Sequence, residues 1–285
     1  MKISKLKIRI EIDKRRLSVV LVAAGILLIG LAWLFEVQVK PSRRIINLKK
    51  QWEAKKVTDT VKGRPTYDQL ANMVIPKSGK TVLVEWSDMG KKLIAVGAID
   101  RAKFEKNFPG MTEEQRRILT GDDLHQIVFR EDNIVFWTDV LWALGLTQKS
   151  KVLTSGPMQQ NAKQTPLNNY ASTAGWTLGA KEAMKLYNSQ RLIELTAEQD
   201  ELVYKIADNI FRPCCGNSAA YPDCNHGMAI LGLLELMAAQ GASEAEMYKA
   251  ALAFNAYAFA DTYVTAAAYL SGQGINWQDV DPKEV

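Results

Sequence analysis

Cysteine is scarce in this chain, with three residues in 285, too few for a small disulfide-stapled fold. Nine prolines and eighteen glycines are too few for a collagen-like or linker-dominated chain. The charge imbalance is small as well: 36 Lys and Arg stand against 31 Asp and Glu, among 47% hydrophobic residues. That is the composition of a folded globular protein and not of a disordered one. A P-loop, G-x-G-x-x-G, H-E-x-x-H, G-x-S-x-G and C-x-x-C-H are all missing. Their absence argues against a nucleotide-dependent enzyme, a zincin, a serine hydrolase and covalent c-type haem. A chain of this length forms one large domain or two modest ones, and either can bury a core.

The near-balance of charge conceals an asymmetry. Residues 1–56 carry 14 Lys/Arg and 4 Asp/Glu, net +10, which leaves net −5 for 57–285. The basic residues flank LSVVLVAAGILLIGLAWLF, Leu17 to Phe35, 19 residues without a charge. As an α-helix this run spans roughly 28 Å, close to the hydrocarbon thickness of a bilayer. Secretory apolar segments are shorter and end at a small-x-small site, whereas this one ends in Trp33-Leu34-Phe35-Glu36, so a retained transmembrane anchor is expected. Translocating 16 residues of net charge +5 is unfavourable, which places the N-terminus in the cytoplasm and the large C-terminal domain outside the cell membrane. The basic collars suit anionic lipid headgroups. Nucleic acid is not expected as a partner, because the remaining residues have the wrong sign for a phosphate-binding surface. The expected partners are the lipid bilayer and another membrane or extracytoplasmic protein.

The expected fold class is mainly α: an N-terminal transmembrane helix, a small β-hairpin subdomain and a C-terminal helical bundle. The segments are a basic tail (1–16), the membrane helix (17–35), a charged stalk (36–60), an α+β subdomain with the hairpin (61–146), a loop or linker (147–175) and a helical module (176–285). Thr81–Trp86 and Leu93–Ile99 are β-branched runs separated by Ser87-Asp88-Met89-Gly90, which predicts the hairpin. From Asp122 to Leu146 apolar residues recur at three and four, which predicts helix. Capping boxes open helices at Thr112-Glu113-Glu114-Gln115, Thr196-Ala197-Glu198-Gln199 and Ser243-Glu244-Ala245-Glu246, and Gly241 suits a C-cap. The helix after Ser243 interleaves alanines with Phe254, Tyr257, Phe259, Tyr263 and Tyr269, a pattern of ordinary helix packing.

All three cysteines and one of the two histidines fall in Arg212-Pro213-Cys214-Cys215-Gly216-Asn217-Ser218-Ala219-Ala220-Tyr221-Pro222-Asp223-Cys224-Asn225-His226-Gly227-Met228. Cysteines acting only as small hydrophobes would scatter through the core. Three readings follow. Cys214, Cys215, Cys224 and His226 make a Cys₃His site for zinc, with copper or iron as less favoured ions. Met228 could add a thioether for copper, although on a helix starting near His226 it suits the core. Alternatively Cys224 is disulfide-bonded to Cys214 or Cys215, leaving a third thiol for exchange. In the third reading the cysteines are reduced and structural. In the metal and redox readings Asp223 and Asn225 orient the loop from outside the ligand set. His125, far from any cysteine in sequence, carries no expected chemistry.

From Leu202 to about Phe259 the order helix, cysteine pair, helix, Gly-Ala-Ser-Glu-Ala-Glu-Met, helix resembles the small three-helix thiol-redox subunit of bacterial cytochrome c maturation. That resemblance implies a cysteine pair at Cys214 and Cys215, followed by polar residues at Asn217-Ser218, which would keep an apocytochrome's haem-binding cysteines reduced. The family separates its cysteines by two residues, lacks counterparts of Cys224 and His226, and carries its membrane helix after this module.

The sequence therefore leads to the expectation of a single-pass, membrane-anchored extracytoplasmic protein whose Cys/His cluster binds a metal or takes part in thiol–disulfide exchange. The alternative is a non-catalytic assembly or scaffold subunit of a membrane complex, with the cysteine loop as a staple.

Overall fold

Among the described residues, four helices start on the same short signal, a Ser or Thr whose hydroxyl accepts from the backbone N–H three residues on. In each, the residue there returns a side-chain bond to the cap's own N–H. Thr112, Thr196 and Ser243 act as expected, and Thr66 does the same with Gln69. The computed structural model describes residues 64–285, so the tail (1–16), membrane helix (17–35) and stalk (36–60) anticipated above lie outside the described residues. Among the described residues no helix is long and apolar enough to cross a membrane.

The described part is mainly helical, with one two-stranded antiparallel sheet. In chain order it runs α1 (Tyr67–Val74), β1 (Lys80–Ser87), α2 (Met89–Ala95), α3 (Arg101–Asn107), α4 (Glu113–Thr120), β2 (Asp123–Phe129) and α5 (Ile134–Thr147). The short helices α6 (Lys151–Ser155), α7 (Pro157–Gln160), α8 (Ala171–Ala174) and α9 (Ala183–Leu186) follow, and then α10 (Ala197–Asp208), α11 (Asn225–Ala239), α12 (Glu244–Ala258) and α13 (Ala260–Gly272).

The sheet corrects the expected hairpin. β1 forms where expected, but it pairs with β2, in the register Lys80↔Phe129, Val82↔Ile127 and Ser87↔Asp123. The apolar run after the turn residues starts as α2, held by a Lys92–Asp88 ion pair one turn apart (3.0 Å). Gly90 lets α2 lie directly on α4, since a Cβ there would stand 2.2 Å from the Ile118 carbonyl oxygen. Leu93, Ala98 and Ile99 are all buried in the core, which a strand with one wet face would not allow. The stretch from Asp122 was expected to be helical, yet helix begins only at Ile134. Asn133 sets the boundary: its Oδ1 accepts from the Arg130 N–H (2.8 Å) and its Nδ2 donates to the Val128 carbonyl (2.9 Å), closing a turn after the strand. The free side of β1 is partly covered at Glu85, whose backbone N–H and C=O both bond the Gln240 side-chain amide, at 2.9 and 2.8 Å.

Helices α5 and α11 form the centre of the core. Both are apolar around almost their whole circumference, as a helix covered on all sides must be. They meet through glycines: a Cβ on Gly145 would stand 2.1 Å from the Met228 carbonyl oxygen, and one on Gly232 2.5 Å from that of Leu141. Gly145→Ala must push these backbones apart, and a loss of about 1–3 kcal/mol is expected, read as a lower urea midpoint. An unchanged midpoint would contradict the close approach. The same core includes Val152, Leu153 and Met158 from the 147–175 segment and continues into α12, so no break between cores falls in that segment. A smaller cluster joins α1 to α13 and Trp277. At the end of α11, Gly241 takes φ +79 and the Ala242 N–H reaches the Met237 carbonyl (3.0 Å), which is the expected C-cap. The aromatic and alanine helix after Ser243 breaks at Phe259 (φ −132, ψ 46) into α12 and α13.

Candidate functional site

Between α10 and α11 the chain leaves regular structure, apart from one bridge pairing Phe211 with Ser218. The loop folds around the side chain of Arg212. Its Nε donates to the Asn217 carbonyl (3.2 Å), and its Nη2 donates to the carbonyls of Ser218 (2.9 Å) and Tyr221 (2.7 Å). Its Nη1 donates to Asp223 Oδ1 (3.0 Å) and to Cys224 Sγ (2.9 Å). A guanidinium has five N–H donors, and each has a partner here. The cation is therefore buried at low cost, with Asp223 as its counter-charge. Gly227 makes the space, since a Cβ there would fall 2.2 Å from Arg212 Nη1.

Further contacts hold the loop from outside. The Asp223 carbonyl accepts from the Ser172 N–H (3.0 Å), and Asp223 Oδ2 accepts from Asn217 Nδ2 (2.7 Å). The Tyr221 hydroxyl lies 2.6 Å from that of Tyr170, and Asn161 Nδ2 donates to both oxygens at 2.9 Å. Segments 161–172 and 212–224 are thus tied together beside the cysteines.

This scaffold brings the three sulfurs together. Cys214 Sγ stands 3.7 Å from Cys224 Sγ and 3.7 Å from Cys215 Sγ. Cys214, Cys224 and His226 offer one ligand atom each, all within 4.8 Å of one another, and Cys215, Asp223 and Cys224 form a second such group. All three cysteines are free thiols, with Cys215 exposed and the other two half-buried. Two thiolates on one tetrahedral zinc, each at about 2.3 Å, stand roughly 3.8 Å apart, whereas bonded sulfurs are about 2.05 Å apart. The observed 3.7 Å is too long for a disulfide and equals both the spacing of thiolates sharing an ion and the van der Waals contact of two thiols.

His226 sits in the first turn of α11, its ring 4.6 Å from that of Phe259 and 6.5 Å from that of Phe254. The break between α12 and α13 presents Phe259 to it. Burial, and then the charge of Arg212, lower the His226 pKa to about 4, so the imidazole is neutral at pH 7, the form that binds metal. Burial and the neighbouring Cys224 and Cys215 push the Cys214 thiol up to about 12. A nearby cation would favour its ionised form.

Of the residues singled out in the sequence, Cys214, Cys215, Cys224, His226 and Asp223 meet at this loop. Asp223 orients it through Arg212 and Asn217 and also lies within ligand distance of two sulfurs. Asn225 is the first residue of α11, and Met228 is fully buried in the core. His125 lies on β2, paired with Asp123 at 2.6 Å. Arg212 and Gly227 carry the geometry without having been singled out. In comparisons with known proteins, no family model, no curated protein and no solved structure matches the chain.

Proposed function

We propose that this chain is a membrane-anchored extracytoplasmic protein whose 212–226 loop holds a thiophilic metal ion through Cys214, Cys224 and His226, with Cys215 or Asp223 completing the ligand set. The observation that carries this reading is the 3.7 Å separation of Cys214 Sγ and Cys224 Sγ, with a ring nitrogen of His226 within 4.8 Å of both. Zinc fits the donor set best, since it takes thiolate and imidazole in a tetrahedron; the same sulfurs also suit Cu(I) or iron. Two further features support it. A bound cation displaces thiol protons and relieves the crowding that holds Cys214 protonated, and the Arg212 bond to Cys224 is the outer contact that thiolate ligands use. The anchor and its orientation rest on the uncharged Leu17–Phe35 run and the basic residues before it.

Thiol–disulfide exchange is the second reading. The exposure of Cys215, 3.7 Å from Cys214, favours it, and the resemblance to the cytochrome c maturation subunit points the same way. A scaffold role would leave the loop as a staple.

Elemental analysis of the full chain, purified in detergent under reducing conditions, separates these readings. About one ion per chain is expected, removable by chelator. Cys214→Ser and His226→Ala should each weaken binding at least tenfold with the far-ultraviolet dichroism unchanged. A metal-free protein, isolated without reductant, in which iodoacetamide labels all three thiols would end both the metal and the disulfide readings.

A further inference from the structure

Cys214 has two sulfur neighbours at the same distance, and they are not equivalent. Cys215 is its chain neighbour, and the trans peptide between them fixes their Cα atoms about 3.8 Å apart, below the roughly 4.4–6.8 Å that disulfides span. Cys224 lies ten residues away on the other arm of the loop. Its backbone caps the start of α11, and its sulfur is held by Arg212 at 2.9 Å. Cys214 sits on the turn closed by the Gly216 N–H bond to the Arg212 carbonyl (2.8 Å), with Pro213, Cys215 and Gly216 exposed around it. Bringing the two sulfurs from 3.7 Å to bonding distance takes an approach of about 1.7 Å.

We infer that Cys214 and Cys224 form a redox gate on the metal site: an external disulfide oxidises the pair, which removes two ligands and releases the ion, and reduction restores the site. This rests on the metal-binding reading. In the first step the Cys214 thiolate attacks a disulfide RSSR, forming a mixed disulfide and releasing RS⁻. The Cys224 thiolate then attacks Cys214 Sγ, the bond to the second RS breaks, and a second RS⁻ leaves. The pair loses two electrons and RSSR gains them. The departing dication balances the charge of the two RS⁻, and in the metal-free protein the two cysteine protons leave with them as RSH. Cys215 stays unpaired, and His226 with Cys215 or Asp223 leaves two of the four ligands, too few to retain the ion.

The test loads the reduced full chain in detergent with zinc, adds excess oxidised glutathione, and follows release with a zinc indicator while peptide mapping identifies the bond. Zinc occupancy is expected to fall at least tenfold with a Cys214–Cys224 disulfide formed, and to return on addition of a thiol reductant. In the metal-free protein, Cys215→Ser should still form the Cys214–Cys224 bond on oxidation. Zinc retained by the oxidised protein, or a bond mapped to Cys215, would overturn the gate while leaving the metal site standing. A reduced protein that takes up no zinc would remove both.

Discussion

Arg212→Met should cost about 3–5 kcal/mol of stability and abolish metal binding together, although no metal ligand is changed. Removing one partner of a buried ion pair leaves the other charge in place without compensation. Here the Arg212 side chain is 0% exposed and that of Asp223 20%. The same change strips donors from the Asn217, Ser218 and Tyr221 carbonyls and from the Cys224 sulfur. Arg212→Lys should rescue little, because an ammonium offers three donors from a single point and cannot reach around the loop as a planar fork does. Gly227→Ala should resemble Arg212→Met by another route, as its methyl would stand 2.6 Å from the guanidinium carbon. Adding Asp223→Asn to Arg212→Met removes the stranded carboxylate, and the double variant should recover part of the loss, a coupling that a double-mutant cycle measures. Urea unfolding of wild type, Arg212→Met, Asp223→Asn and the double variant checks this. A midpoint for Arg212→Met within about 0.5 kcal/mol of wild type, the range of ordinary surface substitutions, would mean that the guanidinium does not organise the loop.

The reason Arg212 was invisible in the sequence is physical. An arginine beside a proline in a polar loop reads as solvated, and its five partners are mostly carbonyl oxygens, which every residue has. Only the folded path of 217–224 aims them at one point. The cysteines were legible because their signal is local: three sulfurs within eleven residues cannot lie far apart. The capping boxes at Thr112, Thr196 and Ser243 are local too, and Thr66-Tyr67-Asp68-Gln69 carries the same pattern. The sheet was half legible. Leu124, Ile127 and Val128 satisfy a helical period and nearly satisfy a strand's, and which one wins depends on β1 arriving from about forty residues earlier in the chain to cover Ile127 and Phe129. Leu124, which the helical reading placed on an apolar face, is instead 67% exposed.

Glu235 was likewise unreadable, since a lone glutamate in a helix is normally solvated, and it should make stability depend strongly on pH. It lies in the middle of α11, 0% exposed, and neither carboxylate oxygen has a hydrogen-bond partner in the structure. Burial raises its pKa well above 4.5, and the charge of Asp200 adds to this. The Ser150 hydroxyl pulls the other way, although neither it nor the carboxylate makes a geometrically formed hydrogen bond. In the unfolded chain the group ionises near its ordinary value of about 4.3, while the folded chain keeps the proton to higher pH. Over that window the native state binds more protons, so the stability Glu235 contributes is fully present below about pH 4.3 and is lost as pH rises toward the folded pKa, by at most about 1.4 kcal/mol per unit. Asp139, whose carboxyl burial raises to about 6, slopes the same way, so the wild-type curve alone does not isolate Glu235. Glu235→Gln keeps the shape and cannot ionise, leaving the Asp139 contribution intact in both proteins. The difference between their unfolding free energies, measured in urea from pH 5 to 8, is therefore the contribution of Glu235. It should grow steadily in favour of the glutamine variant as pH rises. Parallel curves would mean that the carboxyl reaches water or a cation in the folded protein, and α11 would then not be enclosed on the side that carries it.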